Sequence, residues 1–535
     1  MIDGQKAPCD EGVIDAAGRA APCPPRDRPW VLAATILGSS LAFITGSVVN
    51  VALPAIQEAL GASAADMQWV VNGYLLFLGA LILVGGAAGD RYGRRRIFAV
   101  GTAVFTAASV GCGFAPTVEW LVGLRAVQGI GGAMLVPGSL SLISASFPKA
   151  ERGAAIGTWA GFSALTTAVG PLVGGSLVDA GSWRWVFFVV VPFALVCLGV
   201  TVWRVPESRD PDAKALDGVG AALVTLGLGA LVYGLIAAGA AGWTAPRVLL
   251  ALGGGLAGLF AFLGWEARHP TPMMPPALFR VPAFSGANLM TLLLYCALNG
   301  ALFFLPFNLM QVQGYSATAA GAAFLPFTIL VGGLSRWAGG LVDRVGPRVP
   351  LVGGPLVAGL GFGLLAGPAI GGSYWTTYFP GLAVAGLGMA VSVAPLTTVV
   401  MNAAGDENAG VASGVNNAAA RVAGLLAIAV LGTVAVGLFS TALEARLAAV
   451  EAPDALKTAV WTARHDLAGL TVPAEADPAT RERLTGIVDQ SFVWSFRWIM
   501  GIAAALGVGS AVCAALTIPG AQTRPERTRD GIRSP

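Results

Sequence analysis

The chain has 535 residues, of which 55% are hydrophobic and only 11% are charged, and its formal net charge is +3. Soluble globular domains carry about a quarter charged residues, so this composition excludes an ordinary water-soluble enzyme or binding domain. The sequence contains no basic cluster with interleaved aromatic residues, so nothing in it indicates nucleic-acid binding.

Residues 1–29 are polar and contain several prolines, which predicts a disordered tail rather than a signal peptide. Cys9 and Cys23 lie in this tail without the spacing of metal ligands, and we expect no metal, no cofactor and no catalytic residues. A second polar tail is predicted at 519–535.

Apolar runs between the tails are each long enough to cross a bilayer as a helix. They predict an all-α polytopic membrane protein with fourteen transmembrane helices. The predicted spans lie near residues 30–53, 69–88, 97–115, 120–142, 155–177, 185–203, 218–238, 247–265, 285–308, 319–341, 350–370, 376–400, 417–439 and 495–517.

A charged loop motif occurs twice, as Gly86-x-x-x-Asp90-Arg91-x-Gly93-x-Arg95 and again from Gly339 to Arg348. An internal repeat of this kind predicts two related helical halves. The copies follow spans two and ten, so spans seven and eight form an inserted pair. The predicted domains are a six-helix bundle at 30–205, the inserted pair at 206–266 and a second six-helix bundle at 267–518, which includes a long external loop at 441–493.

Arginine and lysine are distributed unevenly between the two sets of loops, which predicts cytoplasmic termini and a multi-pass protein of the cell membrane. Short loops assigned outside contain only Arg184 and Arg247. Loops assigned inside contain Arg91, Arg94, Arg95, Arg96, Lys149, Arg152, Arg204, Arg209, Lys214, Arg268, Arg280, Arg344 and Arg348.

The repeated loop is a candidate conformational switch, because its charges can form a network that holds one of two rocking arrangements. A simple positive-inside anchor is the alternative interpretation. The candidate switch residues are Gly86, Asp90, Arg91, Gly93, Arg94, Arg95, Asp343, Arg344 and Gly346.

Arg125 lies several residues inside an apolar helix, where a charge costs about 3 kcal/mol or more unless it faces a cavity or a partner. Snorkelling toward the outer interface is the alternative.

Glycines in the fifth span predict tight helix packing. Gly153, Gly157 and Gly161 are four residues apart, and Ala164 and Ala168 continue the stripe. The element Gly170-Pro171-x-x-Gly174-Gly175 follows, and Pro171 bends the helix because it removes a backbone donor.

These motifs resemble the fourteen-span drug:proton antiporter branch of the major facilitator superfamily, over about residues 30–518. The resemblance implies the major facilitator fold, a monomer, and a switching role for the loop. It implies proton coupling by the Arg-x-x-Gln-Gly group Arg125, Gln128 and Gly129. It also implies export rather than import, through the antiporter motif of Gly161, Gly170, Pro171, Gly174 and Gly175.

One departure from that pattern affects the expected substrate. Thr45 stands where the branch usually has an aspartate, and no acidic residue lies near a span centre. Arg125, Arg336 and Arg421 leave the interior positive, so we expect an anionic or neutral amphipathic drug-like compound rather than a cation. The proton carrier remains unassigned, with Asp90 and Glu119 as weak candidates. The predicted substrate path is lined by Thr45, Asn50, Asn72, Tyr74, Thr166, Asn288, Tyr295, Asn299 and Asn308. Hydrogen bonding between helices is the alternative role for each of these residues.

The predicted function is a proton-coupled exporter of antibiotics or other drugs. An importer or facilitator on the same fold is the first alternative. A membrane enzyme or sensor is the second, but both histidines lie in loops, and the chain has neither a phosphate-binding Gly-x-x-x-x-Gly-Lys motif nor a segment long enough for a soluble output domain.

Overall fold

A computed structural model describes residues 24–210, 213, 215–405 and 408–520, with the backbone alone at residues 149, 150, 164, 336, 343 and 409. Most of both predicted tails lies outside these ranges. The described chain is helical and contains no strand. Fourteen of its helices are long and apolar enough to cross a membrane, which confirms the predicted number of spans.

The first eight spans contain nine helices, because the sixth span is broken between Phe188 and Val190. These helices are α1 (Arg28–Leu60), α2 (Ala64–Tyr92), α3 (Arg94–Gly113), α4 (Val118–Ser146), α5 (Lys149–Asp179), α6 (Trp185–Phe188), α7 (Val190–Arg204), α8 (Gly218–Ala241) and α9 (Pro246–Glu266).

The remaining six spans begin after a connector, residues 267–281, which contains a 3-10 turn at Pro276–Arg280. Their helices are α10 (Pro282–Phe307), α11 (Ala317–Ala323), α12 (Leu325–Gly339), α13 (Leu341–Val345), α14 (Arg348–Leu365), α15 (Tyr374–Thr377), α16 (Phe379–Ala404), α17 (Ala409–Ala449), α18 (Asp454–Thr462) and α19 (Pro478–Thr517). The first of these spans continues from α10 into a π-helical turn at Asn308–Val312.

Two glycine pairs pack the third and fourth spans of each half in the same way. A Cβ on Gly101 would lie 3.1 Å from the carbonyl oxygen of Gly131. In the second half, a Cβ on Gly354 would lie 3.0 Å from the carbonyl oxygen of Gly388. Any side chain would separate the helices, because real Cβ contacts are rarely this close. The duplication seen in the loop motif therefore extends to helix packing.

The last two spans are longer than the sequence predicts. α17 runs to Ala449 and α19 starts at Pro478, so both helices extend into the predicted loop 441–493. The extensions pair through one apolar face, since Leu443, Leu447, Leu484 and Val488 are buried. A search for uniformly apolar segments misses such amphipathic turns.

We call the end of the bundle that carries residues 90–96 the basic end, and the end that carries residues 454–470 the opposite end. α8 contacts both halves. Its Tyr233 ring lies 6.5 Å from the ring of Trp69 in α2, and its Leu235 carbonyl accepts a hydrogen bond from the Thr433 hydroxyl of α17 at 2.6 Å. The inserted pair thus packs beside the α2–α17 junction.

Candidate functional site

Arg125 is buried inside the first half. The residue is 1% exposed; its Nε donates to the carbonyl of Val70 at 3.0 Å and its Nη1 donates to Gln128 Oε1 at 2.7 Å. The guanidinium also lies 4.4 Å from the centre of the Tyr74 ring. All of these partners are neutral, and the positive charge is balanced only by dipoles and the ring face. Snorkelling is therefore wrong for this residue.

Close packing fixes the neighbours of Arg125. A Cβ on Gly129 would overlap the backbone of Tyr74, so α4 and α2 touch at this level only because residue 129 is glycine. The Tyr74 hydroxyl donates to the carbonyl of Ala42 in α1 at 3.1 Å. Three helices of the first half thus hold Arg125, Gln128 and Gly129 together.

Arg421 projects from α17 into the junction between the halves. Its guanidinium lies 5.6 Å from the centre of the Phe43 ring of α1, and a Cβ on Gly79 of α2 would lie 3.0 Å from its own Cβ. Its charge acts on Tyr74 and Tyr295, one from each half. The side chain is half-buried, and its Nε has no hydrogen-bond partner among the described residues.

Neither guanidinium is neutralised by a carboxylate. In the chain as described, no aspartate or glutamate oxygen lies within 4.0 Å of Arg125 or Arg421. Arg336, the third predicted interior cation, has no described side chain. The junction of the two halves therefore has a positive centre walled by Phe43, Tyr74 and Tyr295.

Several predicted path residues carry polar atoms that the protein leaves unsatisfied. Thr45 and Asn72 are fully buried, and Thr45 Oγ1, Asn50 Oδ1 and both amide atoms of Asn72 have no partner among the described residues. Asn299 donates to the carbonyl of Tyr295 at 2.8 Å and packs against Gly424 of α17. Buried polar groups without partners are uncommon, and a ligand or water is what usually satisfies them.

Other predicted path residues lie away from this centre. Asn308 is 1% exposed and accepts a hydrogen bond from the Tyr378 hydroxyl at 2.8 Å near the opposite end. Asn288 donates to the carbonyl of Phe284 within its own helix. Thr166 forms a 3.0 Å hydrogen bond with Ser40. The bonds of Asn308 and Thr166 join different elements, the bond of Asn288 lies within α10, and none of these bonds includes a residue of the positive centre.

The two halves are in contact near the opposite end. A Cβ on Gly175 would overlap the carbonyl of Ala317, and a Cβ on Gly321 would overlap that of Pro171. The Asp179 carboxylate accepts hydrogen bonds from the backbone N–H groups of Ala317 at 3.1 Å and Thr318 at 2.7 Å. Gly170 and Gly174 pack equally tightly against Ser47 and Val48 of α1. Pro171 lies inside α5, as predicted.

The predicted packing stripe is wrong for the half of α5 nearer the basic end. Gly153, Gly157 and Gly161 are exposed, and a Cβ on any of them would meet nothing within 4 Å. The face of α5 that carries these glycines meets no described neighbour, whereas its other face contacts α1, where Trp159 donates to the Ser39 hydroxyl at 3.0 Å. In this conformation Gly161 therefore lacks the close contacts that Gly170, Gly174 and Gly175 of the same motif make.

The charged loop is held within the first half. Asp90 accepts a hydrogen bond from Arg94 Nε at 2.8 Å, while Arg91 lies 5.7 Å from the centre of the Tyr92 ring. Gly93 has φ 110°, a conformation that side chains rarely adopt, and Gly86 packs against Pro137. The loop is thus a tight, glycine-dependent turn between α2 and α3.

Glu207 is a functional candidate that the sequence did not reveal beyond its presence in a Pro-Glu-Ser triplet. Its carboxylate accepts from the backbone N–H groups of Arg95 at 3.0 Å and Arg96 at 3.1 Å, which begin α3. It also lies 3.8 Å from the Arg95 guanidinium. Glu207 therefore caps α3 from 112 positions away in sequence and fixes the loop to the end of the sixth span.

The second copy of the loop has the same turn. Gly346 has φ 77° at the end of α13, and Arg344 is exposed. The Asp343 side chain lies outside what the structure describes, so its predicted network remains a prediction.

Replacing Glu207 with alanine is expected to lower the unfolding temperature in detergent. The change leaves two N–H donors at the start of α3 without their cap, which costs about 1–2 kcal/mol. The exposed Glu58 provides the control, since Glu58→Ala removes the same charge from the end of α1. Equal unfolding temperatures for the two variants would contradict the capping role.

A segment at residues 454–470 covers the opposite end. Gln57 at the end of α1 donates to the carbonyl of Asp466 at 3.0 Å and accepts from Gln311 Nε2 at 3.1 Å. Gln57 thereby links this segment to Gln311 of the second half. Burial, with a smaller contribution from the charge of Asp66, raises the pKa of Asp466.

Docking of this segment is expected to strengthen as the pH falls. Because its pKa is raised, Asp466 is protonated more readily when docked. The stabilisation is complete below the ordinary aspartate pKa of about 4 and is lost as the pH rises through the raised value. Spin labels at Glu58 and Lys457 in a cysteine-free background would show a broader distance distribution at pH 7 than at pH 4. Asp466→Asn should remove that difference, and a distribution insensitive to pH in the parent protein would refute the coupling.

Comparison with known proteins identifies similar sequences along most of the chain. A model of the Major Facilitator Superfamily matches residues 35–428. Multidrug resistance protein Stp of Mycobacterium tuberculosis (strain CDC 1551 / Oshkosh) is 34% identical over 504 residues, which cover 92% of each chain. The tetracenomycin C resistance and export protein of Streptomyces glaucescens is 37% identical over 419 residues, 76% of each chain.

Solved structures share the fold at lower identity. A bacterial homologue of the human lysosomal transporter Spinster, in an inward-facing and unoccupied conformation, superimposes with a TM-score of 0.63 and is 19% identical. The match covers 92% of this chain and 98% of that structure. This likeness supports the architecture of two helical halves.

Proposed function

We propose, on the premise that this chain belongs to the Major Facilitator Superfamily, that it exports a small amphipathic antibiotic-like compound across the cell membrane. The sequence relatives include proteins named for multidrug resistance and for export of a specific compound. The chain is a multi-pass membrane transporter and not an enzyme.

In this proposal the basic end faces the cytoplasm, as the arginine distribution favours. The contacts of Gly175, Gly321 and Asp179 then close the path to the outside. Export alternates this arrangement with one in which these contacts part and the basic end closes. The protein acts as a monomer, and the motif centred on Arg125 couples export to proton entry.

The proposed substrate class rests on the positive centre between the two halves. Arg421 is half-buried beside Phe43, Tyr74 and Tyr295, with no carboxylate within ion-pair distance in the described chain. An unpaired interior cation disfavours a second cation and stabilises an anion, while the aromatic walls suit an apolar ring system. The substrate is therefore anionic or neutral and amphipathic.

Transport into inside-out membrane vesicles under an imposed pH gradient tests this function. Vesicles containing the protein should accumulate a lipophilic anion, and a neutral compound of the same size, more than vesicles without it. An uncoupler should abolish the difference. Gradient-driven uptake of a lipophilic cation with no uptake of the anion would overturn the substrate class.

The same experiment separates export from the alternative of an importer or facilitator. Inside-out vesicles expose the cytoplasmic face to the medium, so an exporter accumulates substrate in them. An importer accumulates substrate in right-side-out vesicles instead. A facilitator equilibrates the compound without concentrating it, whether or not the uncoupler is present.

A further inference from the structure

Two carboxyl groups meet at the basic end of the inserted helix pair, away from the positive centre. Asp217 precedes the first residue of α8 and is 4% exposed; Glu266 is the last residue of α9 and is 1% exposed. A Cβ built on Gly220 would lie within 3.0 Å of both Asp217 Oδ2 and Glu266 Oε1. The two oxygens are therefore less than 6 Å (twice 3.0 Å) apart, and Asp217 Oδ2 also lies 3.1 Å from the Trp265 indole nitrogen.

The remaining oxygens of the pair are fully engaged as acceptors. Asp217 Oδ1 accepts from the Gly220 backbone N–H at 2.8 Å and from the Trp265 indole at 2.9 Å. Glu266 Oε2 accepts from the backbone N–H of Met274 in the connector at 2.9 Å. Glu266 Oε1 is buried and faces no donor in the described part of the chain.

An ionised Glu266 would therefore place a second negative charge beside Asp217 with one oxygen unsatisfied. Two carboxylates that share a site keep a proton between them, because both cannot be charged at low cost. Burial acts to raise the pKa of Asp217, but the hydrogen bonds that its carboxylate accepts from Gly220 and Trp265 act to hold that pKa below its usual range. Glu266 Oε1 is the buried oxygen of the pair without a donor, and a proton on this oxygen would let it donate to the Asp217 carboxylate.

We propose that Asp217 and Glu266 form a proton-binding site that holds one shared proton at neutral pH. Glu266 is the protonated partner and donates from Oε1 to the Asp217 carboxylate. Through Glu266 Oε2 and the Met274 N–H, the same carboxyl fastens the connector, residues 267–281, to the inserted pair. The site thus joins the start of α8, the end of α9 and the chain that leads into the second half.

One further titratable group lies beside the pair. His269 stacks on Trp265 with ring centroids 5.4 Å apart, and its charge acts on both carboxyls. The neighbouring Arg268 guanidinium donates to the Gly264 carbonyl at 3.1 Å.

Infrared difference spectroscopy of the purified full-length protein tests for the shared proton. We expect a protonated-carboxyl band at neutral pH that is absent from Glu266→Gln and lost or shifted in Asp217→Asn. The control Glu151→Gln removes an ion-paired glutamate and should leave the band unchanged. A Glu266→Gln spectrum identical to that of the parent protein in this region would overturn the proposal.

Thermal unfolding provides a second test. Glutamine is a faithful substitute for protonated glutamate, since its carbonyl can accept from Met274 and its NH₂ can donate to Asp217. At neutral pH, Glu266→Gln should unfold at the same temperature as the parent protein, whereas Glu266→Ala should unfold several degrees lower. The unfolding temperature of the parent protein should fall at alkaline pH, and Glu266→Gln should not show this fall. Either of two results would overturn the proposal and show that a metal cation rather than a proton bridges the carboxyls. The first is that Glu266→Gln is as unstable as Glu266→Ala. The second is that Na⁺ or Mg²⁺, added after chelation, stabilises the parent protein but not the variants.

Discussion

Replacing Arg421 with alanine is expected to weaken binding of an anionic substrate roughly 30-fold. A hydrogen bond to a charged group contributes about 2 kcal/mol, and each 1.4 kcal/mol is about tenfold in affinity. The loss should be specific for anions, because a neutral compound of the same shape retains its contacts with Phe43 and Tyr295. Concentration dependence of transport into inside-out vesicles, measured for both compounds, provides the comparison.

Two further variants separate charge from structure. Arg421→Lys keeps the cation and should retain most of the preference for anions, although it loses the planar contact with the Phe43 ring. Arg446→Ala removes an arginine from the same helix, where the side chain donates to the carbonyl of Ala442 near the opposite end. Arg446→Ala should transport both compounds normally. Equal losses for the anion and the neutral compound in Arg421→Ala would instead assign Arg421 a purely structural role.

The sequence predicts the helices of this protein better than it predicts their ends. Long, predominantly apolar segments such as the second span are unambiguous, because a helix needs about 20 such residues to cross the hydrocarbon core. α17 and α19 continue beyond their apolar stretches as amphipathic helices, and Leu443 and Leu484 are buried in one apolar cluster only once both helices are folded. Their extra turns depend on a partner distant in sequence, so a local hydrophobicity pattern underestimates them.

The candidate site shows the same limit. Arg125 is conspicuous in sequence as a charge within an apolar run, and its partner Gln128 lies one helical turn away. Glu207 and the Asp217–Glu266 pair have no such local signal, because their partners lie in other loops and helices. Gly161 shows the converse error: glycine spacing predicts a capacity for close packing, but the state of the two halves decides whether a neighbour is present.

Replacing Gly175 with valine is expected to prevent closure at the opposite end and to abolish most transport. A Cβ at this position would overlap the backbone of Ala317, which is the first residue of α11 and cannot rotate away as a side chain could. Overpacking of this kind costs about 1–3 kcal/mol. Because the two conformations of a transporter differ by only a few kcal/mol, the upper value changes their ratio about 100-fold.

Gly161→Val on the same helix is the matched control, since it adds the same side chain where nothing lies within 4 Å. Transport should fall steeply in Gly175→Val only. A cysteine introduced in place of Asn299 should also be labelled more strongly from the outside in Gly175→Val, because the path remains open to that face. If Gly161→Val were as inactive as Gly175→Val and labelling from the outside did not change, the glycines of the antiporter motif would act together rather than through the Gly175 contact. Normal transport by Gly175→Val would show that the Gly175–Ala317 contact is not part of the transport cycle. Closure of the opposite end could not depend on that backbone contact if it tolerated an added isopropyl group.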